Sequence, residues 1–511
     1  MNISRWVDKH AAFAPDSEAI RFAGASISYR SLAADIENAA RKLVSLGVSP
    51  GDVVAYLGLN DPQLLALLFA CGRLGAIMAP LNWRLAAPEH ERMLRDCRPR
   101  VAVVADEFVV HAAPLRAAFE GTGWLTLGGP TAGWQAWNGT HASAATLPDY
   151  PDADNTPVLL CYTSGSTGAP KGVVHTHASL FWNAVNSTHM HDLTSADRVL
   201  TTLPLFHVGG LNILTTPALH AGASVTLHPR FDAEQAIDTI EKERITLTVL
   251  VPAQLAAMMA CPRWTQADLS SLRVVTSGST IVPASFVQRV HERGLRMIQV
   301  YGSTETCPVA AYQRADSAER KSGSAGLPAL HCDLQIVDAG GRDVRQGEDG
   351  EILVRGPNVM REYLNAPEAT AAALKDGWYY SGDIGHCDED GYLYVVSRKN
   401  DMIITGGENV YPAEIENILL ESPAIAEASV VGRSDPRWGE AIVAVIVPAP
   451  GSKIAAAEVY ALLDGRLARY KRPREIVFAD ALPRNALGKV MKDRLRAELT
   501  SREPALEGQD S

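Results

Sequence analysis

Short apolar runs alternate with helical patterns along most of the chain. After Asp52 the run VVAYLG is followed by the helical pattern LLALLFACGRLG, and then by the apolar runs AIMAPL and VAVVAD. The pattern returns in the middle of the chain, where Asp232 and Gln235 have capping-box spacing before an apolar helical face and the run ITLTVLV follows. This alternation is typical of βαβ units and predicts largely parallel sheets.

The sequence changes character near residue 398. The hairpin-like segment YLYVVSRKNDMIITGG is followed by a helix with Pro412 in its first turn, and then by a smaller mixture of helices and strands. We therefore predict an α/β protein with two domains. Residues 1–397 are expected to form a large N-terminal domain of βα-type subdomains with mostly parallel sheets, and residues 398–511 a small C-terminal α+β domain.

Composition and charge narrow the classes of function. The 511 residues carry 47 basic and 58 acidic side chains, a net charge of −11, so the balance does not favour nucleic acid or an anionic membrane as a partner. The most apolar stretch, Leu64 to Leu81, is interrupted by Arg73 and two glycines, which is too broken for a membrane span of ~20 residues. The seven cysteines are scattered without a CxxC pair, which argues against a disulfide framework and fits a reducing cytoplasm.

The segment YTSGSTGAPKGVVHTH, residues 162–177, carries the most informative chemistry in the chain. Its glycines and hydroxyl residues allow backbone N–H and side-chain O–H groups to converge on phosphate oxygens, and Lys171 adds a positive charge. It is not a Walker A loop, because Pro170 precedes Lys171 and Gly172 follows it. Taken alone, such a stretch could also be a flexible surface loop. The candidate phosphate-binding residues are Thr163, Ser164, Gly165, Ser166, Thr167, Gly168 and Lys171.

Four further sequence blocks with distinctive residues follow the phosphate loop along the chain. They are YGSTET (301–306), YYSGDIG (379–385), SRKNDMIITGGENVYPAEIE (397–416) and LPRNALGKVMK (482–492). With the phosphate loop they resemble the acyl-adenylate-forming (AMP-binding) superfamily, which includes acyl-CoA synthetases, beetle luciferases and nonribosomal-peptide adenylation domains. The resemblance extends from Trp6 to Leu499. The sequence as a whole is most similar to bacterial aromatic-acid CoA ligases of the feruloyl, halobenzoate and o-succinylbenzoate types.

This resemblance implies an ATP-dependent acid:CoA ligase with an acyl-AMP intermediate. The acid and ATP give acyl-AMP and pyrophosphate, and CoA then displaces AMP to form the thioester. The expected acid is aromatic or phenylpropanoid. The alternatives are a medium-chain or steroid-side-chain fatty acid, an adenylation enzyme that loads a carrier protein, a luciferase-like oxygenase, and a non-catalytic nucleotide sensor. The expected partners are small molecules, and the oligomeric state, a homodimer included, stays open.

The resemblance also assigns roles to residues within the blocks. Glu305 matches a carboxylate that binds Mg²⁺, and Thr304 matches a hydrogen-bond donor to the α-phosphate. Lys489 matches a lysine that the small, mobile domain brings to the α-phosphate and to the substrate carboxylate. Asn400 stands at the hinge, where the family has Asp or Lys. The residues expected at adenine and ribose are Tyr301, Asp383 and Arg398.

The same resemblance nominates the CoA-facing surface and the acyl pocket. The CoA-facing residues are Gly406, Gly407, Trp438, Tyr470, Arg472 and Arg474. The pocket is expected to be lined by His207, Val208, Gly209, Val251, Gly278, Gly302 and Cys307. These positions carry no charged side chain, so a dicarboxylate or a free amino acid is disfavoured. The three glycines predict a flat slot that admits a planar ring.

Two His-x-His pairs, at 175/177 and 189/191, raise the question of a metal site. No acidic or cysteine partner recurs at the spacing that zinc sites use. We therefore expect no metal at these histidines.

Overall fold

The computed structural model describes residues 2–129, 131, 133–144, 146–147, 154–164, 170–278, 282, 284–405, 408–435, 437–485 and 489–500. Its helices are α1 (Arg5–Phe13), α2 (Tyr29–Ser45), α3 (Pro62–Leu74), α4 (Ala87–Cys97), α5 (Val109–Ala118), α6 (His177–His191), α7 (Val208–Gly210), α8 (Thr216–Ala221), α9 (Ala233–Glu243), α10 (Pro252–Ala260), α11 (Arg263–Gln266), α12 (Ala284–Glu292), α13 (Pro367–Ala373), α14 (Pro412–Leu419), α15 (Ala456–Leu463) and α16 (Lys492–Thr500). A π-helix, Leu211–Thr215, joins α7 to α8, and 3₁₀ turns lie at Asp106–Phe108, Thr304–Thr306, Lys399–Asp401 and Arg469–Lys471.

The strands are β1 (Glu18–Phe22), β2 (Ala25–Ser28), β3 (Val53–Leu57), β4 (Ile77–Leu81), β5 (Val101–Val104), β6 (Gly123–Thr126), β7 (Gln135–Ala136), β8 (Pro157–Ser164), β9 (Pro170–Thr176), β10 (Arg198–Thr201), β11 (Ser224–Leu227), β12 (Leu247–Val249), β13 (Val274–Ser277), β14 (Met297–Tyr301), β15 (Ala311–Tyr312), β16 (Leu327–Pro328), β17 (Asp333–Val337), β18 (Gly350–Arg355), β19 (Glu362–Tyr363), β20 (Leu374–Lys375), β21 (Trp378–Cys387), β22 (Leu393–Arg398), β23 (Ile403–Thr405), β24 (Glu408–Val410), β25 (Ile425–Asp435), β26 (Gly439–Pro448) and β27 (Glu475–Phe478).

The two largest sheets are built mainly from parallel strands. The first has the order β16-β15-β14-β13-β12-β10-β11-β1-β2, and every pair between β14 and β1 is parallel. The second has the order β19-β9-β8-β4-β3-β5-β6-β7, and every pair between β8 and β7 is parallel. The predicted α/β class with mostly parallel sheets is confirmed.

Helix α3 and strand β4 account for the most apolar stretch of the sequence. The Asp61 carboxylate accepts the Gln63 N–H at 2.7 Å where the helix begins, and Gly75 ends it in the left-handed region at φ 69°. The residues between them are almost all buried in the main hydrophobic core, because α3 packs against α2 on one side and β4 and β8 on the other. No helix in the described part of the chain is long and apolar enough to cross a membrane.

Two smaller sheets follow in the second half of the chain. Strands β17, β18, β20, β21 and β22 form an antiparallel sheet, and β23 to β27 form the next. On β26, alternate side chains pack against α14 and α15 on one face and against α16 on the other. Pro412 lies in the first turn of α14, as predicted. The predicted domain boundary falls where β22 ends at Arg398, before β23 begins at Ile403. The division into a domain of residues 1–397 and one of residues 398–511 stays a prediction.

Candidate active site

Three residues from three strands meet in one polar cluster. Tyr301 ends β14 at the carboxyl edge of the parallel sheet, and Asp383 and Arg398 face each other in register on β21 and β22. The Tyr301 hydroxyl donates to Asp383 Oδ2 at 2.9 Å, and Arg398 Nε contacts Asp383 Oδ1 at 3.1 Å. Each carboxylate oxygen thus has one donor and keeps lone pairs for another.

Burial sets the electrostatics of this cluster. Asp383 is only 6% exposed, and burial raises the pKa of its carboxyl, while the charge of Arg398 and the hydrogen bond from Tyr301 oppose the rise. Asp383 in turn raises the pKa of the Arg398 guanidinium. The cluster is therefore a buried acceptor that is suited to further hydroxyl donors.

Glu305 lies in the 3₁₀ turn that follows β14 and is fixed through both its backbone and its side chain. Its carbonyl accepts the Met360 N–H at 2.7 Å, and its carboxylate Oε1 accepts the Tyr363 hydroxyl at 2.7 Å. Thr304, the residue before it, is 8% exposed. The sequence YGSTET therefore places a carboxylate and a hydroxyl residue directly beyond the strand that ends at Tyr301.

The candidate phosphate loop connects two antiparallel strands. Thr163 on β8 pairs with Lys171 on β9, and the Thr163 hydroxyl donates to the Lys171 carbonyl at 3.5 Å. The Lys171 ammonium lies over the Tyr363 ring, 5.1 Å from its centroid. Both strands that flank the loop are thus in place, and Lys171 shares a tyrosine with Glu305. Gly165, Ser166, Thr167, Gly168 and the side chain of Ser164 lie outside the described residues.

Lys489 is brought close to the Asp383 cluster, although it belongs to a different sheet region. Its pKa is lowered by burial and then by the charge of Arg398, while Asp383 opposes the shift. Its backbone is held by Asn485, whose side-chain Oδ1 accepts the Lys489 N–H at 3.0 Å. The charges of Asp383 and Arg398 therefore act on Lys489.

Some of the residues nominated for the acyl pocket follow the ends of β12, β13 and β14, and the others lie at α7. Val208, Val251 and Cys307 are buried in one hydrophobic cluster. His207 precedes α7, and its Nδ1 accepts the Gly209 N–H at 2.9 Å. Burial lowers the pKa of His207 to about 4, so the ring is neutral at pH 7 and carries its proton on Nε2.

The glycines in this region do not open a flat slot, so that interpretation is wrong. A Cβ on Gly278 would stand 2.6 Å from the Val300 carbonyl oxygen, and one on Gly302 would collide with the Pro308 carbonyl at 1.5 Å. A Cβ on Gly209 would approach His207 Nδ1 at 3.0 Å. Gly278 and Gly302 need glycine because neighbouring backbone atoms already fill the space that a side chain would take, and at Gly209 the His207 ring would have to shift slightly.

The nominated CoA-facing residues are spread over the C-terminal sheet region. The Arg474 guanidinium stacks 3.9 Å from the centroid of the Trp438 ring, which forms one compact cation–aromatic pair. Arg472 contacts Asp464 at 2.5 Å, and Tyr470 is 40% exposed beside Lys471. Arg472 is therefore engaged in an ion pair. Gly406, Gly407 and the side chain of the proposed hinge residue, Asn400, lie outside the described residues.

Sequence reasoning missed two tyrosines that line the site. Tyr363 contacts both Lys171 and Glu305, and Tyr379 brings its hydroxyl to 3.5 Å from the Ser303 hydroxyl. Tyr363 comes from β19, which pairs with the motif-bearing strand β9, so the sheet register reveals it, whereas Tyr379 is the first residue of the YYSGDIG block and was given no role there. Their one signal in the sequence is an aromatic residue beside glycine-rich or charged motifs, in REYLN and WYYSGD.

The His-x-His pairs are packed into the protein. The His191 ring lies 2.8 Å from the Thr276 hydroxyl, and His189 lies 2.8 Å from the Tyr312 hydroxyl. Within the described residues, no group of three or more histidine, cysteine, aspartate or glutamate side chains could hold a metal ion.

Comparison with known proteins defines the class of this chain. Residues 7–364 match the AMP-binding enzyme family, and residues 414–489 match the AMP-binding enzyme C-terminal domain. The chain therefore belongs to the AMP-binding enzyme family, and the resemblance predicted from five sequence blocks is confirmed.

Individual relatives match the chain over nearly their whole length. An indoleacetate–CoA ligase of Aromatoleum aromaticum is 55% identical over 509 residues, which cover 99% of this chain and 100% of that protein. A feruloyl-CoA synthase of Amycolatopsis sp. is 43% identical over 495 residues, covering 97% and 98%. The structure of o-succinylbenzoate CoA synthetase from Bacillus subtilis with its acyl-adenylate intermediate is 31% identical, with a TM-score of 0.86 and 98% of both chains covered.

Proposed function

We propose that the protein is an ATP-dependent ligase that joins an aromatic carboxylic acid to CoA through an acyl-AMP intermediate. The observation that carries this proposal is the approach of Lys489 to the Asp383 cluster in a chain of the AMP-binding family. The full-length similarity to an indoleacetate–CoA ligase and a feruloyl-CoA synthase supports an aromatic acid. Indoleacetate and ferulate are therefore the first acids to test.

The nucleoside of ATP is proposed to bind at Tyr301, Asp383 and Arg398. The Asp383 carboxylate has lone pairs available for ribose hydroxyls, and Tyr301 and Arg398 hold it in orientation. The buried ring of Tyr301 offers an aromatic surface next to this carboxylate. These contacts would fix the nucleoside so that its α-phosphate points toward the phosphate loop.

The first half-reaction brings two anions together. An oxygen of the substrate carboxylate attacks the α-phosphorus, and the bond to pyrophosphate breaks. Positive charge lowers the cost of this approach, and Lys171 and Lys489 are proposed to supply it. Burial and Arg398 lower the pKa of Lys489, so binding of an anionic substrate should raise it again. Thr304 and the hydroxyl residues of the phosphate loop are proposed to donate to phosphate oxygens.

The residues present fit Mg²⁺, which the family relationship implies. Mg²⁺ is usually held by one or two carboxylates, with water and substrate phosphates as its other ligands. Glu305 supplies one carboxylate. Tyr363 donates to its Oε1, and the Oε2 of Glu305 has no partner among the described residues. Mg²⁺ would neutralise phosphate charge when bound.

The second half-reaction needs a path for CoA. The CoA thiol attacks the acyl carbonyl carbon, and AMP leaves as the thioester forms. Trp438, stacked on Arg474, is proposed to wall this path, and Gly406 and Gly407 to border it. Arg472 and Tyr470 are proposed to contact the CoA nucleotide, for which Arg472 would have to exchange its ion pair with Asp464.

The acid is proposed to bind near His207, at the ends of β12 to β14. Val208, Val251 and Cys307 are proposed to form an apolar wall there, since all three are buried in the main hydrophobic core, and the neutral ring of His207 would add a polar edge without a charge. Such a wall suits an uncharged aromatic group better than a second carboxylate.

A cytoplasmic location is proposed from the cysteines. All seven cysteines are free, which is consistent with the reducing cytoplasm. A homodimer is a further proposal that light scattering of the purified protein would test.

A panel of acids tests the proposed function. Pyrophosphate release is measured with and without CoA for indoleacetate, ferulate, benzoate, acetate, malonate and a medium-chain fatty acid. The proposal predicts the highest kcat/KM for an aromatic acid and an acyl-CoA product that appears only with CoA. A preference for the fatty acid, or turnover without CoA consumption, would contradict it.

A further inference from the structure

Tyr363 contacts two groups of opposite charge at the candidate active site. Its hydroxyl donates to Glu305 Oε1 at 2.7 Å, and the face of its ring lies 5.1 Å from the Lys171 ammonium. The side chain is only 7% exposed, so it is held in place by its surroundings. Tyr363 thus links the strand that carries Lys171 to the turn that carries Glu305.

The sheet register fixes this position. Strand β19 pairs with β9, so that Tyr363 stands opposite Val173, and the Leu364 N–H donates to the Gly172 carbonyl at 2.7 Å. Two residues away along β9 is Lys171. The Met360 N–H, three residues before Tyr363, bonds to the Glu305 carbonyl. One short segment therefore holds the backbone of both neighbours.

Lys171 and Glu305 contact different parts of Tyr363, the ring face and the hydroxyl. Both residues lie in the described part of the chain, and no ion pair joins them there. Instead the ammonium meets the electron-rich ring face, and the carboxylate meets the hydroxyl. The tyrosine provides each charge with a weak partner that a nucleotide or a metal ion can replace.

We propose that Tyr363 is a positioning residue that keeps Lys171 and Glu305 apart and aimed at the bound metal–nucleotide. The hydroxyl orients the Glu305 carboxylate toward a divalent cation, and the ring holds the Lys171 ammonium for the phosphates. This role rests on the proposed function for its use of ATP, whereas it does not depend on which acid is activated. Removing the hydroxyl should therefore weaken the binding of the metal ion. Removing the ring should also weaken the binding of the nucleotide.

Two variants separate these contributions. Tyr363→Phe keeps the ring and removes the hydrogen bond to Glu305, and Tyr363→Leu removes both contacts. Tyr29→Phe is the matched control, because Tyr29 is also buried and its hydroxyl donates to the Ala223 carbonyl at 2.7 Å, in the main core. Thermal melting of all three variants shows whether each is folded.

The measurement is binding, without any acid or CoA. Mn²⁺ is titrated by electron paramagnetic resonance in the presence of the non-cleavable analogue α,β-methylene-ATP, and the analogue alone is titrated by calorimetry in EDTA. Tyr363→Phe should lower the affinity for Mn²⁺ by about tenfold, as expected for loss of a hydrogen bond to a charged group. The affinity for the metal-free analogue should be unchanged. Tyr363→Leu should weaken the binding of both Mn²⁺ and the analogue, since it removes the hydroxyl that contacts Glu305 and the ring face that contacts the Lys171 ammonium.

A double-mutant cycle makes the assignment specific to Glu305. In a Glu305→Gln background, Tyr363→Phe should have little further effect on Mn²⁺, because the two changes remove one interaction. Unchanged Mn²⁺ affinity in Tyr363→Phe, additive effects in the cycle, or an unchanged analogue affinity in folded Tyr363→Leu would overturn the proposal. If Tyr363→Leu does not fold, Tyr363→Phe and the cycle decide. Failure of every aromatic acid in turnover assays, with these binding effects present, would contradict the proposed substrate and leave the role of Tyr363 standing.

Discussion

The Tyr301 hydroxyl donates a hydrogen bond to Asp383 at 2.9 Å across 82 positions of the sequence. The bond joins the end of the parallel sheet to the antiparallel sheet that follows it. It also gives a buried carboxylate a donor that does not depend on Arg398, whose side chain is 52% exposed.

Tyr301→Phe should therefore lower the affinity for ATP, although the substitution keeps the aromatic ring. Loss of a hydrogen bond to a charged group lowers affinity by about tenfold, so we expect a rise of that size in the KM for ATP and a small change in kcat. Tyr312→Phe, whose hydroxyl lies 2.8 Å from His189, is the control and should leave the KM for ATP unchanged. Equal KM values for the wild type and Tyr301→Phe would show that Asp383 does not bind the ribose.

Gly278→Val should destabilise the protein and slow every acid alike. The added Cβ would meet the Val300 carbonyl at 2.6 Å and push on β14, which ends at Tyr301. Overpacking of this kind costs about 1–3 kcal/mol, seen as a lower Tm. Gly121→Val, where the new Cβ meets open space, should change neither Tm nor activity. A selective loss of aromatic acids at an unchanged Tm would instead support the flat slot.

Trp438→Ala should impair the use of CoA and leave the reaction with ATP intact. The Trp438 ring, stacked on Arg474, is proposed to wall the CoA path, so its removal should raise the KM for CoA. Pyrophosphate release from acid and ATP, measured without CoA, should stay within about twofold of the wild type. An equal loss in both assays would place Trp438 in the adenylation site or in the fold itself.

Acid should unfold the protein through its buried histidines. Burial lowers the pKa to about 4 for a set of histidines that would titrate near 6.5 in the unfolded chain: His90, His175, His177, His191, His207 and His220. The unfolded state binds more protons between these values, so their contribution to stability is complete above pH 6.5 and is lost as the pH falls toward 4.

Calorimetric Tm values between pH 7.5 and 4 check this expectation. His175→Leu is informative, because His175 is fully buried and burial is the largest cause of its lowered pKa. The variant should take up about one proton fewer on unfolding near pH 5. An identical pH dependence in wild type and variant would show that His175 is protonated in the folded protein.

Much of the fold could be predicted from local signals. Asp232 Oδ1 accepts the Gln235 N–H at 2.8 Å where α9 begins, and Gly294 ends α12 at φ 82°, as capping rules predict. The run ITLTVLV, however, forms a strand only over Leu247–Val249. Such local rules work because each depends on a few neighbouring residues.

The site was harder to predict, because its contacts depend on sheet register. The motifs indicated Glu305, Lys171 and Asp383, whereas the contacts of Tyr363 with the first two required the pairing of β19 with β9. The flat slot failed for a related reason. A glycine in a sequence does not reveal whether the space beside it is empty or is already filled by a neighbouring strand, as Val300 fills it at Gly278.

The central claim is that Lys489 serves acid activation and not thioester formation, and one pair of assays tests it. Lys489→Ala is measured for pyrophosphate release from acid and ATP, and separately for thioester formation from supplied acyl-AMP and CoA. Lys492→Ala, which removes an ammonium that pairs with Glu416 at 2.8 Å, is the control from the same motif. The account predicts a loss of about 100-fold or more in the first assay of Lys489→Ala and nearly normal thioester formation in the second. An equal loss in both assays, or unimpaired pyrophosphate release, would contradict it.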